Sequence, residues 1–99
     1  MLEGLLRENP ADAFARYGLA LEYVGRERYE EAVGEFERLI QEHPEYVPGH
    51  QMLAQTLLRM GRKEEATAAA KRGIAIAAKV GNRHAASEME GLLEEIGSA

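Results

Sequence analysis

His43, His50 and His84 are the residues of this chain best suited to hold a metal ion, and their spacing does not serve that purpose. No two of them stand four apart, the separation that brings two imidazoles of one helix onto one metal. Structural roles are expected for them instead. There is no cysteine, which removes disulfides and thiolate ligands from consideration. Serine occurs only as Ser87 and Ser98, neither of them inside a nucleophile motif. Glu64-Glu65 and Glu94-Glu95 read as solvated carboxylates, with no buried partner to tune one of them as an acid or base. The glycines are scattered and form no phosphate-cradling loop. Neither a catalytic centre nor a bound cofactor is expected. What is left is the chemistry of recognition: Phe14, Tyr17, Leu21 and Val24 recur at helical spacing and make an apolar, partly aromatic stripe.

The 99 residues suit one domain, with 45% hydrophobic residues to build a core and 29% charged residues to solvate its surface. No apolar run approaches the roughly 18 residues that would suggest a membrane span. The opening Met1-Leu2-Glu3-Gly4-Leu5-Leu6-Arg7-Glu8 carries acids where a signal peptide needs a basic region. A cytoplasmic location is therefore expected, for a whole protein or a piece of a longer one. The net charge of −5 argues against a nucleic-acid partner. Residues 59–83 nevertheless hold Arg59, Arg62, Lys63, Lys71, Arg72, Lys79 and Arg83 against only Glu64 and Glu65. That run reads as a solvated face with intramolecular pairing or, alternatively, as a docking patch for an acidic peptide.

The elements that must position these side chains are all helices. Leu2, Leu5 and Leu6 mark a short leading helix that stops at Asn9-Pro10. Asp12 is placed to cap a helix over 13–26, whose two apolar stripes imply two contact faces. The next helix, 29–42, buries Ala32, Val33, Phe36, Leu39 and Ile40 and is ended by His43-Pro44. Pro48 suits the first turn of a helix over 47–60, and Gly61 suits the left-handed position after it. An alanine-rich helix over 63–79 is closed by Gly81-Asn82, and a last helix over 83–96 carries Ala85, Met89, Leu92, Leu93 and Ile96 on one face. No segment alternates like a strand.

Shifted by 34 residues, the chain falls into register with itself. Pro10 lands on Pro44, Leu19-Ala20 on Leu53-Ala54, and Glu30-Glu31-Ala32 on Glu64-Glu65-Ala66. A helical pattern with that period marks a stacked helix-turn-helix repeat. The pattern resembles the tetratricopeptide repeat (TPR) family. Leu19-Ala20, Tyr23, Tyr29, Ala32, Phe36 and Pro44 carry the likeness in the first unit, and Leu53-Ala54, Leu57, Gly61, Ala66 and Ile74 in the second. There are departures. Arg16 and His50 stand where the family often has a bulky aromatic, Ala70 where Phe36 stands, Gly73 where a helix-favouring residue is usual, and Ala78 where the terminal proline belongs. Gly25 comes two residues earlier than Gly61 does in its unit, so the turn over 25–28 is open.

The resemblance implies an all-α, right-handed superhelical stack of antiparallel helix pairs. One domain over 1–99 would comprise a partial leading helix (1–9), two repeats (13–46 and 47–80) and a C-terminal capping helix (82–97). It also implies a concave groove lined by the first helix of each unit. Carried over by register, that groove comprises Phe14, Tyr17, Leu21 and Val24, then Gln51, Gln55, Leu58 and Arg59, then Asn82, Ala85 and Met89. Tyr17 and Leu21 stand where carboxylate-capturing members of the family place polar side chains, so a tail clamp of that type is not expected. His50 and His84 are equivalents in this register. Two functions remain open: a non-catalytic protein–protein interaction module that binds a partner peptide in the groove, or a homo-oligomerisation module, a homodimer being one form, that associates through the apolar groove or the open N-terminal end of the stack. Residues 1–9 or a second copy would cover the stripe if no partner does.

Overall fold

The computed structural model describes residues 3–4 and 12–98. Over residues 12–98 five helices follow one another: α1 (Ala13–Gly25), α2 (Tyr29–Glu42), α3 (Val47–Arg59), α4 (Lys63–Lys79) and α5 (Arg83–Ser98). The described residues include no strand. Each helix packs on the next, and α3 also meets α5, so antiparallel pairs stack with α1, α3 and α5 along one side. Of the short leading helix expected over 1–9, Glu3 and Gly4 are described and helical, and Leu2, Leu5 and Leu6 lie outside the described residues.

Local chemistry explains the boundaries. The Ala15 N–H donates to the Asp12 carboxylate at 2.9 Å, satisfying one of the free donors at the start of α1. Asn82 does the same for α5, accepting from the Ala85 N–H at 3.1 Å. Pro48 occupies the first turn of α3, where its missing N–H is not needed. Three helices end in one turn type. The N–H groups of Arg28, Arg62 and Asn82 reach back to the carbonyls of Tyr23, Leu57 and Ala77, while those of Glu27, Gly61 and Gly81 reach Val24, Leu58 and Ala78. That pair of bonds is the Schellman motif, which needs a left-handed residue at its centre. Gly61 (φ 78°) and Gly81 (φ 77°) supply it, and so does Glu27 (φ 58°). The turn over 25–28 therefore matches the one at Gly61, with a glutamate rather than Gly25 bearing the strained position.

The core is a ladder of small and large residues. Ala20, Ala32, Ala54 and Ala66 have no exposed surface, which lets the paired helices cross closely, and Phe36, Leu39 and Leu53 fill the spaces between pairs. Arg16, only 5% exposed, sits in this frame as an ion pair with Glu35 at 2.6 Å, with Glu42 at 3.6 Å. His50 is buried too, and its Nε2 donates to the Pro44 carbonyl at 2.7 Å.

The last helix departs from the sequence register. α2 ends before Pro44 after 14 residues, whereas α4, with Ala78 at the equivalent place, runs for 17. The residues preceding α1 and α3, Asp12 and Tyr46, are 34 apart, but Asn82 comes 36 after Tyr46. Everything on α5 is displaced by those two residues. Ala85 consequently takes the buried place of Ala15 and Gly49, and Met89 that of Leu19 and Leu53. Gly73 on α4 makes room for it: a Cβ there would run into the Met89 thioether and come within 3.0 Å of His50 Cβ.

Candidate functional site

The first groove helix divides into parts. Tyr17 is half-buried and packs on the core, its ring centroid 6.2 Å from that of Phe36 and 5.5 Å from that of Tyr46. Burial, and then the neighbouring Tyr46 phenol, raise the Tyr17 pKa above its ordinary value. Phe14 stands out at 73% exposed, and Leu21, two turns further along α1, is exposed as well. Val24 is half-buried and lines a cleft of about 50 Å³ with Met52, Gln55, Thr56 and Arg59 of α3.

A second cleft lies between α3 and α5 and is about 490 Å³. Gln51, Gln55, Leu58 and Arg59 form its α3 wall, and Glu88, Gly91, Leu92 and Glu95 form its α5 wall. The two clefts are one feature built twice. Leu58 follows Val24 by 34 residues, and Glu88, Gly91, Leu92 and Glu95 follow Met52, Gln55, Thr56 and Arg59 by 36. Where the first cleft has the Gln55 side chain, the second has Gly91, around which a Cβ would meet open space. The absent side chain helps to make the second cleft the larger.

Four of the residues expected in the groove are thus brought together in this cleft: Gln51, Gln55, Leu58 and Arg59. The α5 members are corrected. Met89 has no exposed surface and Ala85 only 5%, so neither can touch a partner. Asn82 is exposed, but its side chain caps α5 and lies outside the cleft. The cause is the two-residue displacement, since extending a 34-residue register into α5 selects its core face. Glu88, Gly91, Leu92 and Glu95 were missed for the same reason. Aligning the helix starts, Asn82 with Tyr46, rather than counting 34 onward, sets them opposite Met52, Gln55, Thr56 and Arg59 of α3. His84 is corrected likewise. Ala86 holds the place equivalent to His50, and the His84 side chain is 86% exposed.

Within the cleft, Gln51 Nε2 donates to Glu88 Oε1 at 3.0 Å, and His84 Nε2 lies 3.5 Å from Glu88 Oε2. Gln55, Arg59 and Glu95 have no hydrogen-bond or ion-pair partner among the described residues, so their polar heads are available to a ligand. Elsewhere the basic run is partly neutralised within the chain. Arg62 bridges Glu65 at 2.7 Å and Glu30 at 3.0 Å, and Lys79 pairs with Glu45 at 2.7 Å. The carboxylates hold the Arg62 and Lys79 pKa values above their usual ones. The described residues include no cluster of three histidines or carboxylates that could hold a metal, and no helix long and apolar enough to cross a membrane.

Comparison with known proteins gives a consistent picture. Comparison with curated sequences gives no match. A tetratricopeptide repeat family model matches residues 23–87. Among solved structures, a tetratricopeptide repeat domain protein from Salinibacter ruber is 28% identical, with a TM-score of 0.83 and 89% of each chain covered. The TPR2B domain of yeast Sti1, solved in complex with pHsp70, superposes at a TM-score of 0.92 with 18% identity, over 98% of this chain and 78% of that one. PcrH, solved with the chaperone-binding region of PopD, gives a TM-score of 0.91 at 18% identity, over 98% and 74%. These last two share the fold. With a family model matching well over half of its length and the small-residue helix crossings on which that fold depends, the chain belongs to the tetratricopeptide repeat family.

Proposed function

We propose that this chain is a non-catalytic protein-interaction module that binds a segment of a partner protein in the cleft between α3 and α5. The observation that carries this reading is the cleft itself, about 490 Å³, with Leu58 and Leu92 beside polar groups that have no partner of their own. A pocket of that volume, part apolar and part polar, is of the size that takes up ligand side chains. Gln51 and Gln55 offer amides to an extended backbone, which has a donor and an acceptor at each residue. The fold neighbours solved with pHsp70 and with a region of PopD support the reading by analogy of architecture.

The test fills the cleft without disturbing the fold. Gly91→Gln restores the side chain that the smaller cleft has at Gln55, in a position where a Cβ meets no neighbour. Random peptides displayed on phage are selected on the wild-type chain, and the enriched sequences are then measured against Gly91→Gln by fluorescence anisotropy. Loss of binding, with helical content and thermal midpoint at least equal to wild type, is the expected result. Equal binding by both proteins would exclude the cleft.

A second reading is favoured by Phe14, 73% exposed on α1, with Leu21 exposed two turns further along the same helix. Two copies associating through that face would cover both side chains. Sedimentation equilibrium across micromolar concentrations separates the readings: a monomer excludes self-association, and a dimer abolished by Phe14→Ser supports it.

A further inference from the structure

Resting on the reading of the α3–α5 cleft as the partner surface, we infer that its occupant is a basic side chain, a lysine or arginine of the partner segment with apolar neighbours. Glu88 and Glu95 stand seven apart on α5, so both carboxylates project from one face of that helix. Both line the cleft, and among the described residues Arg59 is the one cation that does so. The Gln51 amide that bonds Glu88 is neutral and leaves the carboxylate charge in place, and His84, 3.5 Å from the other Glu88 oxygen, stands outside the cleft lining. Glu95 has no ion-pair partner among the described residues, although Arg59 lines the same cleft. An acidic occupant would meet two carboxylates and one guanidinium, and a basic occupant meets the favourable balance. Leu58 and Leu92 add the second half of the match. Lysine and arginine carry their charge on an aliphatic stem that packs along apolar surface while the head stays among polar groups.

The acidity belongs to this cleft and not to the repeat. At the places of Glu88 and Glu95, the smaller cleft between α1 and α3 has Met52 and Arg59. A module with two equivalent clefts would have no means of fixing which residue of a segment enters which. Here only one of the two has both the volume and the carboxylates. The net charge of −5 also favours encounter with a basic segment.

The test is a pair of opposite signs. Peptides enriched on the wild-type chain are expected to carry a lysine or arginine beside apolar residues. Synthetic copies should bind roughly fivefold more weakly to a Glu88→Gln, Glu95→Gln double variant, the range expected of two partly exposed ion pairs. They should bind more tightly to Arg59→Gln, which removes the repelling cation, and binding should weaken with added salt. A fold defect cannot produce opposite signs. Enriched peptides that are lost on Gly91→Gln but lack a basic residue would overturn this inference while leaving the cleft as the binding surface. So would peptides that bind Arg59→Gln more weakly and Glu95→Gln more tightly. Failure to enrich any peptide, or binding that ignores Gly91→Gln, would overturn the cleft reading and this inference with it.

Discussion

Gly73→Ala is the substitution for which helix propensity and packing give opposite answers. Gly73 lies well inside α4, and alanine in a helix interior is favoured over glycine by about 1 kcal/mol. The side chain has nowhere to go, however. Its Cβ would collide with the Met89 thioether and lie 3.0 Å from His50 Cβ, an atom rooted on the α3 backbone. Met89 is fully buried and cannot swing into solvent. Overpacking of this kind costs about 1–3 kcal/mol. With the rigid His50 contact placing it toward the upper end, Gly73→Ala should destabilise by about 1–2 kcal/mol net, or roughly 4–16 °C in a domain of this size. Urea unfolding followed by circular dichroism reads the effect directly. Gly34→Ala is the control, since Gly34 is exposed within α2 and a Cβ there meets nothing within 4 Å; it should stabilise by about 1 kcal/mol. In the double variant Gly73→Ala, Met89→Ala the two losses should not add, because the shortened side chain vacates the space the new methyl needs. If Gly73→Ala stabilises as much as Gly34→Ala, Met89 does not lie against Gly73, and the two-residue displacement of α5 is wrong.

Other outcomes follow from single contacts. Glu27→Gly should stabilise by about 0.5–1 kcal/mol, because Glu27 alone among the non-glycine residues described has a positive φ; thermal melts with Gly61→Ala as the opposite change check it. Glu35→Ala should cost about 2 kcal/mol in chemical denaturation, against a few tenths for the exposed Glu37→Ala, since it strips the buried Arg16 of its 2.6 Å partner. Burial raises the pKa of both Tyr17 and Tyr46 above 10.0, with the Tyr46 phenol adding to the first and Asp12 to the second. Folding therefore favours the neutral phenols: their contribution is fully present below pH 10.0 and is lost as the pH rises through the folded values. Absorbance at 295 nm should show this late titration, and Tyr17→Phe should flatten the alkaline loss of stability.

Much of the fold was legible because its signals are local. The Asp12 cap, the proline at 44 that ends α2, and the small residues at 20, 32, 54 and 66 each act within a turn or a single helix crossing. The turn at 25–28 was less so. Its left-handed residue is a glutamate, and the strain at Glu27 is tolerated because the flanking helices and two backbone bonds hold the turn. The candidate site was half legible. Its α3 wall came from the repeat register, which holds between α1 and α3. The α5 wall did not, because the helix that Ala78 fails to stop carries the chain on and displaces everything after it by two residues. Tyr17 illustrates a different limit: its place in the stripe was evident, but its engagement with Phe36 and Tyr46 depends on residues distant in sequence.

The most direct test of the α3–α5 cleft as the partner surface is a proton–nitrogen correlation spectrum of the labelled chain titrated with an enriched peptide. Shifts concentrated at Gln51, Gln55, Leu58, Gly91, Leu92 and Glu95, and abolished in Gly91→Gln, are the predicted result. Shifts confined to α1 around Phe14 and Leu21, unchanged by Gly91→Gln, would contradict it.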